Sequence, residues 1–527
     1  MHHEIEIVLG LLLVVAALAV VAQRLAIPYP ILLVIGGLVL GFVPGLPHVE
    51  LNPELVFILF LPPLLTSAAW YTSWRDFRFN LRPILLLAIG LVLATTSAIA
   101  AVAHAAIAGM EWNTAFVLGA IVSPPDAVAA TAITQRLSVP RRAVTILEGE
   151  SLINDATGLV AYRFAVAAVA TGVFSFWEAS LRFFLMAIGG VLIGLAMGWI
   201  IVKIHSLMDD SLVEITSTIL MGFIAYILAE RLGVSGVLAV VALGLYHRRK
   251  SPEVLSPTTR IQTIAVWDVI VFLLNGLIFI LIGLQLPSIL KEISEHSLFT
   301  LIWYAVLVSA VVIGVRLLWV FPSAYIPRLL SRSLRERDPY PSWQFLLILG
   351  WCGMRGVVSL AAALALPLTI ANGTPFPNRD LILFLTFCVI LVTLVLQGLT
   401  LPALISWLKV VEDGNIEREE MEGRLRAAEA AMDRLDELTA NCTPVEAEMI
   451  EWLRTQYNDR IRRISACCVA MDRGSYEQLD AFRHLQKEVI AAERRTAIKL
   501  RNQGEINDEV LHRIERDLDL EEARLGG

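Results

Sequence analysis

The chain has 527 residues, of which 57% are hydrophobic and 17% charged, and its formal net charge is −7. Soluble domains usually carry about 25% charged residues, so this composition excludes an ordinary soluble protein or a string of soluble domains. The five cysteines have neither metal-ligand spacing nor the pattern of a secreted disulfide framework, and they indicate no cofactor.

Apolar runs dominate the chain up to residue 410, and charges stand in short clusters between them. Most runs have the roughly 17–25 residues needed to cross about 30 Å of hydrocarbon. The N-terminus carries Glu4 and Glu6 rather than a basic region, which predicts a retained spanning helix and not a signal peptide. About thirteen transmembrane helices are predicted, at 4–23, 29–43, 53–71, 83–108, 113–134, 144–170, 181–203, 211–230, 234–246, 263–287, 298–321, 343–368 and 380–408.

Basic residues are distributed unequally between alternate loops. One set of loops carries 17 Lys and Arg residues, whereas the other set carries only 4. The positive-inside rule therefore predicts an outside N-terminus and a cytoplasmic C-terminus for a multi-pass protein of the cell membrane. The poorly charged loops contain Arg182, Arg231, Lys291 and Arg379.

The fifth predicted span contains two consecutive prolines, Pro124 and Pro125, preceded by Ser123 and followed by Asp126. Two prolines remove two backbone donors and clash with the preceding turn, so we expect the helix to break here. Broken backbone at membrane depth is tolerated where it is buried in protein or lines a polar cavity. Asp126 is then either a cap for the next half-helix or a direct cation ligand.

The sixth span places Ser151, Asn154 and Asp155 on one helical face. A hydroxyl, an amide and a carboxylate together offer the oxygen ligands that a hard cation such as Na⁺ needs. The alternative is that these groups only join helices by hydrogen bonds. Glu150, one residue before Ser151, points towards a different neighbour.

The twelfth span carries Arg355 between Gly353 and Gly356. An arginine in mid-span needs an interior partner, and Glu150 is the predicted one by charge and depth. The glycines favour local unwinding that matches the proline break. Two interrupted segments, one in each half of the chain, indicate a transporter site at the interface of inverted repeats.

These motifs resemble those of the bacterial and eukaryotic sodium/proton exchangers, the electroneutral type of the cation:proton antiporter family. They occur in the expected order between about residues 50 and 400. The matching stretches are Ser123-Pro-Pro-Asp126-Ala-Val-Ala, Glu148-Gly-Glu-Ser-Leu-Ile-Asn-Asp155-Ala-Thr and Gly353-Met-Arg-Gly-Val-Val-Ser-Leu-Ala, with weaker matches at Leu61-Pro-Pro-Leu-Leu and Leu281-Ile-Gly-Leu-Gln285-Leu-Pro.

The resemblance implies an all-α membrane protein with inverted repeats, two unwound crossing helices and a mobile core bundle in a homodimer. It implies that Asp155 is the ion- and proton-binding carboxylate, with Asn154 and Ser151 beside it. Asp126 corresponds to the acidic residue of the unwound fifth helix, so Na⁺ would be held by Asp155 and Asp126. The resemblance also implies that Glu150 and Arg355 form an ion pair between the core helices.

The chain departs from some family members around the site. Pro125 stands where some members place a threonine, and Thr66 and Ser67 stand where some carry a carboxylate or an amide. Fewer charged ligands leave the choice between Na⁺, Li⁺ and K⁺ open. Hydroxyl residues expected near the ion are Ser123, Thr131, Thr66 and Ser67.

The predicted mechanism is competition between one proton and one monovalent cation for Asp155, giving electroneutral one-for-one exchange. Arg355 cannot release a proton at accessible pH. The alternatives are K⁺/H⁺ exchange by the same mechanism and, in another class, a proton-uncoupled cation channel or sensor. An intramembrane protease is disfavoured because the chain lacks its signature. We expect no enzymatic activity, and membrane lipid but no nucleic acid as a partner.

The last part of the chain changes composition to Glu, Arg, Asp and Ala. We therefore predict a transmembrane domain at 1–410 and a cytoplasmic helical tail at 411–527. The tail carries no catalytic or nucleotide motif. It carries an apolar stripe at helical spacing, formed by Ile416, Met421, Leu425, Ala428, Met432 and Leu435. Its helices could form a small bundle or pair across a dimer, for regulation, for dimer support or as a structural appendage.

Overall fold

The fold is known from a computed structural model, in which the chain separates into two compact units, Met1–Glu412 and Asp413–Gly527. Within the described residues the secondary structure is helical, apart from one isolated β-bridge between Thr369 and Pro375. The described residues are 2–25, 27–43, 53–126, 130–131, 139–172, 176–208, 210–293, 297–370, 373–410, 415–439, 444–472, 476–503 and 505–526.

The first half of the larger unit follows the predicted apolar runs. A π-helical turn, Leu86–Leu91, joins the helices Leu81–Leu85 and Val92–Ala106. The helices are α1 (His2–Arg24), α2 (Tyr29–Gly41), α3 (Pro53–Leu59), α4 (Leu61–Tyr71), α5 (Trp74–Phe79), α6 (Leu81–Leu85), α7 (Val92–Ala106), α8 (Trp112–Val122), α9 (Arg141–Thr171) and α10 (Phe176–His205).

The second half contains a second π-helical turn, Thr393–Gln397, between the helices Arg379–Val392 and Gly398–Leu408. The helices are α11 (Ser211–Arg231), α12 (Gly236–Val254), α13 (Pro257–Glu292), α14 (Leu298–Leu330), α15 (Arg332–Arg337), α16 (Trp343–Trp351), α17 (Val357–Leu364), α18 (Arg379–Val392) and α19 (Gly398–Leu408).

The hydropathy of the helices fits a polytopic membrane protein. Eight described helical stretches are long and apolar enough to cross a membrane, and shorter apolar helices lie at α2, Val56–Tyr71 and α8. The prediction of an all-α polytopic membrane protein is thus confirmed. The number of about thirteen crossings stays a prediction.

Two helices extend well beyond their predicted spans. The ninth predicted span ends at residue 246, but α12 continues to Val254. The eleventh ends at residue 321, but α14 continues to Leu330. α12 continues through the basic residues 248–250, because Arg and Lys end an apolar run but are good helix formers. α14 continues through a stretch that contains Pro322 and Pro327.

Close packing of apolar helices builds the larger unit. α2 packs along α13, where a side chain on Gly283 would collide with the Val34 carbonyl oxygen. Small residues of this kind let two membrane helices approach closely. α10 packs along α12, and α12 also contacts α4.

α9 lies between two clusters of buried apolar side chains. Ile146 and Tyr162 belong to a cluster built largely from α7, α8, α13, α14 and α18. Leu152 and Ala156 belong to a second cluster with α4, α11 and α12. The polar face predicted on the sixth span therefore lies at the boundary between the two clusters.

The smaller unit consists of α20 (Asn415–Thr439), α21 (Pro444–Asp472), α22 (Tyr476–Asn502) and α23 (Asp508–Gly526). α20 packs against α21, and α22 packs against α23. Ala428 and Leu435, from the predicted apolar stripe of α20, are buried.

Candidate functional site

The helix that carries the two prolines is broken as predicted. α8 ends at Val122, and Ser123, Pro124 and Pro125 are non-helical. The Ser123 hydroxyl donates to the carbonyl of Ala120, at 3.1 Å, so it closes the end of α8. Within the predicted fifth span, residues 127–129 and 132–134 lie outside the described residues, and Thr131 is half-buried.

A second break separates α16 from α17, over residues 352–356. The two breaks touch, because the backbone N–H of Asp126 donates to the Met354 carbonyl at 2.8 Å. A side chain on Gly356 would collide with the Asp126 carboxylate. Glycine at 356 is therefore required for the close approach of the two segments, as a consequence of its missing Cβ.

The polar face of α9 reaches the proline break. Asn154 is fully buried, and its Nδ2 donates to the Pro125 carbonyl at 2.8 Å. Its Oδ1 is buried and has no hydrogen-bond partner among the described residues. The amide of Asn154 thus satisfies a carbonyl that the break leaves outside a helix, and its own oxygen stays available.

Asp155 lies next to Asn154 on α9 and is 8% exposed. Its carboxylate lies close enough to that of Asp126 for the two to interact electrostatically. Ser151, one turn earlier, is half-buried. The structure therefore brings Asp155, Asn154 and Asp126 together at the contact between α9 and the two broken segments.

Glu150 pairs with an arginine that the sequence reasoning missed. Its two carboxylate oxygens accept from Nη1 and Nη2 of Arg316, at 2.6 and 2.8 Å. Both side chains are 1% exposed, and Arg316 also donates to the Leu349 carbonyl at 3.2 Å. Such a two-point, charge-assisted contact is among the strongest that proteins make.

The predicted Glu150–Arg355 ion pair is therefore wrong. Arg316 lies on α14, and it satisfies both oxygens of Glu150. A signal for Arg316 was present, since it is a single arginine within the apolar run Val311-Val-Ile-Gly-Val-Arg316-Leu-Leu-Trp. The rule that an intramembrane charge needs a partner applies to it as it does to Arg355.

Arg355 instead supports the first break. Its side chain is fully buried, and Nη1 donates to the Ser123 carbonyl. Its Nε and Nη2 atoms are buried without a hydrogen-bond partner among the described residues. Its backbone N–H donates to the Thr393 hydroxyl, at 3.0 Å. The Arg355 guanidinium therefore lies at the C-terminal end of α8, where the exposed carbonyls of the helix favour a positive charge.

The remaining predicted neighbours lie on α4. Thr66 is buried, and its hydroxyl donates to the Pro62 carbonyl of its own helix at 2.7 Å. The same side chain packs against Gly222 of α11. Ser67 is buried as well. The structure thus uses the Thr66 hydroxyl within α4, in the cluster that includes α11 and α12.

The family of the chain follows from comparison with known proteins. A model of the transmembrane sodium/hydrogen exchanger family matches residues 10–407. The chain is 36% identical to an uncharacterised Na⁺/H⁺ exchanger of Mycobacterium tuberculosis, over 99% of this chain and 97% of that protein. It is 40% identical to a sodium, potassium, lithium and rubidium/H⁺ antiporter of Bacillus pumilus, over 72% of this chain and 58% of that one.

The fold is also similar to a solved structure. The sodium proton antiporter MjNhaP1 from Methanocaldococcus jannaschii matches with a TM-score of 0.60 and 21% identity, over 77% of this chain and 97% of that one. At that identity the likeness concerns the fold alone. Since the family model spans most of the chain and the mycobacterial relative matches nearly all of it, the chain belongs to the sodium/hydrogen exchanger family.

Proposed function

We propose that the protein exchanges protons for monovalent cations across the membrane by alternating access, with Asp155 as the shared binding site. The observation that carries this proposal is the position of Asp155, a buried carboxylate beside the contact of two broken membrane segments. Family membership and the names of the relatives support the exchange of cations for protons. The exchange needs no cofactor.

Four side chains supply the ligands for the proton and the cation at this site. Asp155 binds either the proton or the cation. Asp126 supplies a second carboxylate to the cation, and Asn154 supplies Oδ1, which no described residue occupies. Ser151, on the same face of α9, completes the oxygen ligands. Carboxylate and amide oxygens are suited to a hard cation such as Na⁺.

The charge balance around Asp155 supports one-for-one exchange. Glu150 is neutralised by Arg316. Asp126 meets the second broken segment through its backbone N–H. In the proposed cycle the charge of Asp126 stays constant, and Asp155 is the carboxylate that alternates between a proton and a cation. A proton or a monovalent cation neutralises it equally, so both loaded states carry the same net charge and the exchange is electroneutral.

We take Na⁺, and Li⁺ with it, as the transported cation, with K⁺ as the second candidate. K⁺ is favoured by one observation, the relative in Bacillus pumilus that is named for sodium, potassium, lithium and rubidium. A proton-uncoupled channel or sensor is the alternative of another class. It predicts a cation flux that collapses no pH gradient, whereas exchange predicts the opposite.

We also propose a homodimer in the cell membrane, with the N-terminus outside and the tail in the cytoplasm. The excess of basic residues in alternate loops supports this orientation. Mass measurement of the purified protein in detergent tests the dimer, which a monomer mass would contradict. Labelling of single cysteines at each terminus in intact cells tests the orientation, and a tail that is labelled from outside would reverse it.

The test of transport uses purified protein in liposomes that contain a pH dye and carry an imposed pH gradient. Na⁺, Li⁺, K⁺ and choline are added in turn to the wild type, to Asp155→Asn and to Asp380→Asn. Asp380 lies at the start of α18 beside Arg379 and is half exposed, so it controls for the loss of a carboxylate away from the site.

We expect alkali cations, but not choline, to collapse the gradient with the wild type and with Asp380→Asn. Asp155→Asn should be inactive. Wild-type protein that moves no protons with any cation would reject exchange. An active Asp155→Asn protein would reject Asp155 as the site. A current that scales with transport and reverses with membrane potential would reject electroneutrality.

A further inference from the structure

One peptide bond in the second break is held from both sides. The Met354 carbonyl accepts from the backbone N–H of Asp126, at 2.8 Å. The N–H of the same peptide group, which belongs to Arg355, donates to the Thr393 hydroxyl at 3.0 Å. A peptide group is planar, so fixing its N–H also fixes the direction of its carbonyl.

The Thr393 hydroxyl can act only as the acceptor in this contact. Its single hydrogen is directed to the Val389 and Ile390 carbonyls of α18, at 2.7 and 3.2 Å. A hydroxyl has one donor and two lone pairs, so a lone pair remains for the N–H of Arg355. The orientation of the hydroxyl is thus set by α18, and the side chain is fully buried.

Thr393 is also the first residue of the second π-helical turn. Such turns change the direction of the side chains that follow them and occur frequently at functional sites. The turn lies in the helical stretch that follows the second break in the chain. The last apolar stretch of the membrane unit therefore contributes directly to the contact between the two broken segments.

We propose that Thr393 is a positioning residue for the cation site, because it orients the Met354 carbonyl that holds the backbone of Asp126. This inference rests on the proposed function, since it assigns Asp126 to the site at which cation and proton compete. Among the described residues, the hydrogen bonds of the Thr393 hydroxyl join it to Arg355, Val389 and Ile390, and none joins it to Asp126 or Asp155. It acts through the peptide group that joins Met354 and Arg355.

Replacing Thr393 by Val tests the role of the hydroxyl at nearly constant volume. The N–H of Arg355 then stays buried without its acceptor, which favours rotation of the peptide group away from Asp126. Thr393→Ser keeps the hydroxyl and is the conservative variant. Thr386→Val is the matched control, since Thr386 is on the same helix, fully buried, with a hydroxyl that bonds to no described residue.

The first measurement is the cation concentration that gives half-maximal exchange in liposomes. Loss of one buried hydrogen bond predicts a rise of about three- to tenfold for Thr393→Val, with a smaller change in the maximal rate. Thr393→Ser and Thr386→Val should stay within about twofold of the wild type. An unchanged half-maximal concentration in Thr393→Val, or an equal rise in Thr386→Val, would overturn the inference.

The second measurement is hydrogen–deuterium exchange of the full-length protein in lipid nanodiscs. Thr393→Val should speed exchange across residues 352–356, and Thr386→Val should not. This result does not depend on transport, so it separates the failure of the inference from the failure of the proposed function. If Thr393→Val does not fold, Thr393→Ala replaces it, and unchanged exchange at 352–356 in the folded variant would overturn the inference.

Discussion

Arg316 and Arg355 are both buried near the proposed ion site, and their surroundings differ. Arg316 makes a two-point contact with Glu150 and a further bond to the Leu349 carbonyl. Arg355 donates from one side-chain nitrogen to the Ser123 carbonyl, and its other two nitrogens have no partner among the described residues.

This difference indicates that Arg316 has a structural role and that Arg355 has a role in transport. Both oxygens of Glu150 accept from Arg316, so the pair joins α9 to α14. Arg355 stands in broken backbone, next to the segment that carries Asp126. Two of its side-chain nitrogens have no hydrogen-bond partner among the described residues, so its neighbours can change during a transport cycle without breaking an ion pair. We therefore expect mutations at the two arginines to damage different properties.

The largest expected effect is a loss of folded protein in the variant Arg316→Met. Removing one partner of a buried ion pair leaves an uncompensated charge, which costs about 3–5 kcal/mol in proteins. The amount of monodisperse protein in gel filtration should fall sharply. The double variant Glu150→Gln/Arg316→Met should recover much of it, because both charges of the pair are removed and neither is left unpaired. A single variant that is as abundant as the wild type would break the distinction between the two arginines.

The second effect concerns the approach of the two broken segments, in Gly356→Ala. The added Cβ would collide with the Asp126 carboxylate, so the segments must separate. A displacement of about 1 Å can lower activity about 100-fold, and we expect a loss of that order in liposome exchange with a normal yield. Gly314→Ala is the control, since a Cβ there meets nothing within 4 Å. Equal activities of the two variants would reject a functional contact.

Lysine substitutions sharpen the comparison. Lysine keeps the charge but cannot make a planar two-point contact. Arg316→Lys should lower the yield. Arg355→Lys should keep the yield and lower exchange about three- to tenfold, because lysine keeps the charge and the loss is that of about one ordinary hydrogen bond. Yield and liposome flux of both variants are the measurements. If Arg355→Lys lowered the yield as much as Arg316→Lys does, both arginines would have a structural role.

The smallest expected effect is that of Thr66→Val. The Thr66 hydroxyl bonds to the Pro62 carbonyl of its own helix, and its loss removes no hydrogen bond to a described residue of α9 or of the broken segments. The half-maximal cation concentration in liposomes should stay within about twofold of the wild type. A tenfold rise would place Thr66 among the ion-site residues, as the sequence predicted.

The breaks in the membrane helices could be read from sequence because their causes are local. Pro124 and Pro125 remove backbone donors wherever they stand in a helix. Gly353 and Gly356 lie within the second break, and glycine is a poor helix former. The shared face of Asn154 and Asp155 is likewise a matter of helical spacing alone. These features need no knowledge of distant residues.

The partner of Glu150 could not be read in the same way. It lies 166 residues further along the chain, and two buried arginines matched it by charge and depth. The distance between helices decides the pairing, and sequence spacing does not contain it. Thr393 was missed for a related reason. The run Thr393-Leu-Val-Leu-Gln397 has the composition of any apolar helix, although it forms a π-helical turn.

The central claim is that cation and proton compete for Asp155, and proton release on cation binding tests it most directly. NaCl, or choline chloride as a control, is added to purified protein in a weakly buffered solution with a pH dye. Competition at one carboxylate predicts release of up to about one proton per chain with Na⁺, none with choline and none from Asp155→Asn. Equal release from Asp155→Asn, or no release from the wild type at any starting pH, would contradict the account.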